Sequence, residues 1–274
     1  MKKYQALPFQ EEKYRLAEAP FFDGRTGITS FVDILAGRFF RIFPDGEKKV
    51  YDLGQPVGAA VPWKKPGSYI LAATDGIYLF ENEETKLMFD LRPHLLSWQR
   101  CNDAKADPAG RLFFGTSSLD EDLGIGGNLY CLSEDRLRIV ESGTGIANGM
   151  AWDRMRKRFF FADSMKHAVY VYDYDVDTGE VFGKRELFSI QDGVPDGMCI
   201  DPEDNLRVAV WGGFRVEKRS SVTGELLEVI EVPAENVTSA CFVNENKLII
   251  TSSGEGLSGR DDGKLFCCET QNGL

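Results

Sequence analysis

The stretch Val194-Pro195-Asp196-Gly197-Met198 sets a carboxylate between a rigid Val-Pro and a glycine, then runs inward to Cys199 and Ile200. Proline and glycine around an acid ordinarily mark a solvated turn. Here the turn signal leads into an apolar run. Asp196 is therefore expected at the mouth of a buried strand. A buried, uncompensated carboxylate is costly, so a partner for it is expected as well.

Asp196 and Asp201 stand five residues apart, and the same frame recurs as Glu18 and Asp23, Asn102 and Asp107, and Asn148 and Asp153. Ser239 and Asn244 make a weaker copy, and a further one near Ala60 and Lys65 has lost its polar residues. Brought to one point, Glu18, Asn148 and Asp196 would offer two carboxylates and an amide carbonyl. An oxygen-only set of that kind suits one divalent cation: Ca2+, Mg2+ or Mn2+, with Zn2+ or Fe2+ tolerated. Three protein ligands leave positions open for water or substrate. Asp196 is also the candidate catalytic base toward an attacking water. Arg100 and Asn102, in Arg100-Cys101-Asn102-Asp103, are the candidate donors to substrate oxygens. The chemistry implied is hydrolysis of an ester-like carbonyl.

Residues so far apart in sequence need a scaffold that repeats. Each frame is followed by a turn and an apolar run: Ser30 to Ile34, Tyr69 to Ala73, Leu112 to Gly115, Phe159 to Ala162, Leu206 to Val210 and Leu248 to Thr251. Alternating runs come behind them, from Phe39 to Phe43, Ile77 to Phe80, Leu129 to Leu132, Val169 to Tyr172, Val216 to Arg219 and Leu265 to Cys268. Turn signals such as Asp45-Gly46, Thr178-Gly179 and Thr223-Gly224 close the units. A repeat of about 40 to 50 residues is the size of a four-stranded propeller blade. The expectation is an all-β, six-bladed β-propeller of four antiparallel strands per blade, forming one domain over residues 1–274. A central metal site would lie on its axis. Residues Lys3 to Phe9 read as a strand that pairs with the last blade and closes the ring.

Composition narrows the partners. The chain of 274 residues is 43% hydrophobic and 27% charged, with a formal net charge of -11. An acidic surface repels nucleic acid and anionic membranes, which leaves a small molecule as the expected partner of a monomer or weak homo-oligomer. The six cysteines form no C-x-x-C and sit mostly in apolar runs, so they read as buried thiols of a reducing compartment. The N-terminal residues lack an apolar signal region, and the expected location is cytoplasmic. Only His94 and His167 occur, outside the frame and without a G-x-S-x-G elbow, which argues against a serine triad. Walker A and dinucleotide fingerprints are missing too.

Over nearly its whole length the sequence resembles the SMP-30/gluconolactonase/regucalcin (LRE-like) family of six-bladed propellers. The resemblance is carried by Glu18-Ala19-Pro20, by Arg100-Cys101-Asn102-Asp103 leading to Asp107-Pro108-Ala109-Gly110-Arg111, and by Asn148-Gly149. Asp173-Tyr174-Asp175 with Thr178-Gly179, Val194 to Met198, and Trp211-Gly212-Gly213 add to it. It implies one divalent metal on Glu18, Asn148 and Asp196, substrate contacts from Arg100 and Asn102, and Asp196 as base. It also implies an acidic substrate-contacting loop, for which Asp120 is the candidate. That residue lies in the glycine-rich stretch Ser117 to Gly127, which reads as a lid or a solvated loop. The implied activity is opening of sugar lactones to aldonic acids. A calcium-binding, regucalcin-type propeller without turnover shares the same site and stays open as the alternative. An interaction propeller would instead need an exposed apolar face. Arg207 stands where members of the family often have tryptophan.

Overall fold

In the second strand of each repeat successive side chains are buried on both faces, and this decides the architecture. A computed structural model describes residues 2–119, 126–153 and 155–270. Within it Phe159 and Phe161 pack with Phe113 and Leu129 of the preceding blade, whereas Phe160 and Ala162 pack with Val208 and Val210 of the following one. A strand sandwiched between two neighbours reads as a continuous apolar run, because both sets of its alternating residues are covered. Each boundary between blades has its own buried cluster, including one between the last blade and the first, where Tyr14, Phe31 and Phe40 meet Leu265.

The strands form six sheets. Blade one runs through Ala17–Asp23, Ile28–Asp33, Arg38–Ile42 and Lys48–Asp52. Blade two runs through Val57–Pro62, Tyr69–Ala73, Gly76–Glu81 and Glu84–Asp90. Blades three and four start with the inner strands Gln99–Ala106 and Ala147–Asp153. Blades five and six start with Val194–Ile200 and Asn236–Phe242. The inner strands neighbour one another in chain order, and that of blade six meets that of blade one. The sequence thus folds into the expected six-bladed β-propeller.

The N-terminal segment is shared between two blades. Leu7–Pro8 supplies the outer strand of blade six, paired with Phe266–Glu269. Lys2–Gln5 instead adds a fifth strand to blade five, parallel to Leu226–Glu231. The expectation that Lys3 to Phe9 pairs with the last blade holds only for its second half. Both pairings cover an outer edge of the ring.

The two ends of the five-residue frame have separate tasks. The second residue caps the hairpin that leaves the inner strand. Asp107 Oδ1 accepts from the amides of Ala109 at 2.9 Å and Arg111 at 2.8 Å, and Asp201 Oδ1 accepts from Glu203 and Asn205 in the same way. Local side-chain bonds of this type fix a turn. The first residue lies at a β-bulge, between Cys101 and Ala104, between Ala147 and Met150, or between Pro195 and Met198. A bulge bends the strand and re-aims a side chain, here toward the axis.

The weaker copies need correction. In blade six Asn244 does cap the hairpin, its Oδ1 accepting from the amides of Asn246 and Lys247. Val243 nevertheless closes that hairpin on Lys247, and five residues back from Val243 stands Thr238 rather than Ser239. In blade two Trp63 closes on Ser68, and the corresponding residue is Gly58 rather than Ala60. No helix among the described residues is long and apolar enough to cross a membrane. All six cysteines are free, with Cys199 and Cys267 only partly buried.

Candidate functional site

At one end of the central channel a cavity of about 290 Å³ is lined by Glu18, Arg100, Asn102, Asn148 and Asp196, with Ser164 and Trp211 in its wall. Four blades contribute these groups, and all five of the polar residues first named are buried. Asp120 lies outside the described residues, as does most of the acidic stretch around it.

Burial is made possible by how the neighbouring groups are arranged. Glu18 precedes Ala19, which takes a left-handed φ of 47° and turns its amide back onto the Glu18 carboxylate. The carboxylates of Glu18 and Asp196 lie within hydrogen-bonding reach of each other. Burial, then the nearby acid Asp103, push the Glu18 carboxyl up to about 8. Asp103 is itself raised by burial, opposed by Lys105. Lys105 reaches from blade three to the carbonyl of Met198 on blade five, a contact that crosses the channel beneath the site.

Arg100 and Asn102 act as a pair. The guanidinium donates from Nη1 to Asn102 Oδ1 at 2.8 Å, and Asn102 Nδ2 donates to the carbonyl of Ala147 at 3.3 Å. Asn148 Nδ2 donates to Ser164 Oγ at 3.1 Å, and that hydroxyl donates to the carbonyl of Pro195 at 2.7 Å. Its proton points to a backbone carbonyl rather than to a general base. Neither His94 nor His167 lines the cavity.

Ser164, Asp103 and Lys105 were not singled out from the sequence. Lys105 and Asp103 lie inside the third frame, and their places could have been read from it. Ser164 opens the short 3-10 turn Ser164–Lys166 that follows the second strand of blade four, Arg158–Asp163, where no repeated pattern marks it.

A larger cavity of about 460 Å³ opens at the opposite mouth, between Phe21, Phe22, Pro62, Trp152, Ile200 and Phe242. Its volume exceeds that of the first cavity, but its ionisable groups suit structure better than chemistry. Asp107 is tied to Arg111 and to the Tyr174 hydroxyl, and burial holds the Cys199 thiol at about 11. The smaller cavity is the better candidate, because buried carboxylate, guanidinium and amide groups from four blades converge on it.

The comparisons with known proteins agree with this fold. Residues 16–254 match the profile of the SMP-30/Gluconolactonase/LRE-like region. The chain belongs to this family. Regucalcin of Gallus gallus is 30% identical over 257 residues, covering 90% of this chain and 86% of the relative. The solved luciferin-regenerating enzyme superposes with a TM-score of 0.91 at 31% identity, covering 98% of this chain and 96% of that one. A gluconolactonase of Xanthomonas campestris shares the fold at a TM-score of 0.77 and 17% identity, covering 97% of this chain and 89% of that one.

Proposed function

We propose that the chain is a metal-dependent hydrolase of sugar lactones, acting as one unit, with aldonic acids as products. The observation that carries this reading is the convergence of Glu18, Arg100, Asn102, Asn148 and Asp196 on one buried cavity. Membership of a family named for gluconolactonase, and a fold shared with the Xanthomonas enzyme, support it.

The donor set fits a hard divalent cation. Among the described residues no cluster of three or more His, Cys, Asp or Glu side chains is placed to hold a metal. The site has two carboxylates, and its third oxygen would be the amide of Asn148. Two acids buried side by side need a proton or a cation between them. Glu18, Asn148 and Asp196 would hold Ca2+, Mg2+, Mn2+, Zn2+ or Fe2+. When bound, such an ion supplies Lewis-acid polarisation of the lactone carbonyl.

The residues supply the rest. Arg100 and Asn102 present nitrogen donors to the hydroxyl and carbonyl oxygens of the sugar. Asp196 takes a proton from the attacking water as its oxygen bonds to the carbonyl carbon. The ring C–O bond then breaks, and the ring oxygen leaves as a hydroxyl by gaining that proton. The product is the open acid. A small, uncharged sugar suits a cavity of this size with a few convergent polar groups, and the reading includes a cytoplasmic location.

The test is acid release from a panel of glucono-, xylono- and galactonolactones. Metal-stripped protein is assayed with each of the five ions restored. Rates above the spontaneous reaction with at least one ion are expected. Spontaneous rates throughout, with Ca2+ still bound, would favour the second reading, a calcium-binding protein without turnover. The regucalcin relative is what favours that alternative.

A further inference from the structure

We infer that Ser164 is the residue that fixes which end of the Asn148 amide faces the cavity, and so makes Asn148 an oxygen donor rather than a nitrogen donor. The inference rests on the metal reading above and concerns a residue outside the proposed ligand set.

The argument is one of hydrogen-bond capacity. The carbonyl of Pro195 can only accept, and it lies 2.7 Å from Ser164 Oγ. The single hydroxyl proton of Ser164 must therefore point to Pro195. What remains on Ser164 Oγ is lone pairs. Asn148 lies 3.1 Å away and must offer those lone pairs an N–H, so Nδ2 faces Ser164. Oδ1 is left as the end available to the cavity. A flipped amide would set two acceptors against each other at Ser164 and aim an N–H at the cation. Oxygen and nitrogen of an amide are nearly alike in shape, so only such a network decides between them.

The serine is itself held firmly. It is buried, and its amide donates to the carbonyl of Ile146 at 3.1 Å. The preceding Asp163 accepts from the amide of Gly145 at 3.0 Å, which pins the segment leading into Asn148. Through Pro195 the same hydroxyl touches the residue next to Asp196. One side chain thus sets the polarity of a ligand on blade four and tethers the strand of a ligand on blade five. Partners of this kind around a metal site typically contribute roughly 10- to 100-fold in affinity.

The test is a double-mutant cycle read by calorimetric titration of Ca2+ and Mn2+ into metal-stripped protein. Ser164→Ala is expected to weaken binding by roughly 10- to 100-fold. Ser164→Thr keeps the hydroxyl and is expected to keep most of the affinity. The deciding arm is Ser164→Ala in an Asn148→Asp background. A carboxylate presents oxygen whichever way it turns, so the loss there should be much smaller. Equal losses in both backgrounds would make Ser164 a purely structural tether and overturn the inference.

A second measurement needs no variant to fold. In wild-type protein, nuclear Overhauser contacts should join the Asn148 side-chain amide protons to the Ser164 β-protons. Their absence would overturn the inference. Wild-type binding that Ser164→Ala leaves unaltered removes this inference alone. Wild-type protein that takes up neither ion removes the metal reading, and this inference with it.

Discussion

Thr238 Oγ1 donates to the carbonyl of Ala17 at 2.6 Å, across the seam where blade six meets blade one. Thr238 occupies the position in blade six that Asp196 and Asn148 hold in theirs, yet it faces a backbone group rather than the cavity. Since its one proton goes to Ala17, the Thr251 hydroxyl 2.7 Å away must donate to it. Ala17 directly precedes Glu18, so this bond also anchors the strand that carries a candidate ligand. Thr238→Val keeps the shape and leaves the buried Ala17 carbonyl without that donor. A loss of about 1–3 kcal/mol in urea unfolding is expected, with Thr238→Ser retaining most of the stability.

Gly149 shows how closely blades four and five approach at the site. A β-carbon there would lie 2.8 Å from the amide nitrogen of Met198 and press harder still on the carbonyl of Asp196. Gly149→Ala must therefore push the Asn148 and Asp196 strands apart. Cation affinity should fall more than tenfold in calorimetry, the order expected when support around a metal site is lost. A variant that binds as tightly as wild type would mean the two strands can separate without moving the ligands.

Much of this was legible because a propeller writes its period into the chain. The second strands, buried on both faces, announced themselves: Tyr69 to Ala73 read from the sequence is Tyr69–Ala73 in the structure. Outer strands left little signal. Glu84–Asp90 exposes most of its side chains, so neither alternation nor an apolar run marks it. Three of the candidate site residues, Asn102, Asn148 and Asp196, stand where frame and bulge coincide and line one cavity. In blade two the hairpin is one residue longer than in blades three and five, and in blade six the polar cap is Asn244, one place past the closing Val243; this displaced the reading to Ala60 and Ser239. Ser164 escaped because its role depends on Pro195, a contact between blades that no local pattern encodes.

Arg207 illustrates a charge in a strand that the apolar pattern marked as buried. It donates to Glu228 at 2.9 Å and lies 3.5 Å from Asp201, which also meets Lys218 at 3.1 Å. All four groups are buried on blade five. Arg207→Ala leaves two carboxylates with a single nearby cation. Removing one partner from a buried pair costs about 3–5 kcal/mol, and a loss of that order in chemical denaturation is expected. Lactone turnover at saturating metal should change little in whatever fraction stays folded, since Arg207 does not line the cavity.

Asp196 is assigned two tasks, and two substitutions separate them. Asp196→Ala removes ligand and base together and should reduce turnover to the spontaneous rate with the circular dichroism of the fold intact. Asp196→Asn keeps an oxygen for the cation but cannot accept the proton from water. Its turnover should be lost while part of the Ca2+ affinity remains. Turnover surviving in Asp196→Asn would move the base to another residue.

Glu18 gives the chain a pH dependence whose sign follows from its surroundings. Burial and Asp103 raise its carboxyl from an ordinary 4.5 to about 8 in the folded, metal-free protein. Between those values the folded protein holds a proton that the unfolded chain has released. Stability from this group is thus complete below about pH 4.5 and is lost as pH rises toward about 8. The melting temperature of metal-stripped protein should fall over that window, and Glu18→Gln should flatten the decline. Added Ca2+ should act in the opposite direction. Binding needs ionised carboxylates and expels the proton, so the ion should raise the melting temperature more near pH 8 than near pH 5. Parallel melting curves for wild type and Glu18→Gln, with and without Ca2+, would remove Glu18 from both the titration and the ligand set.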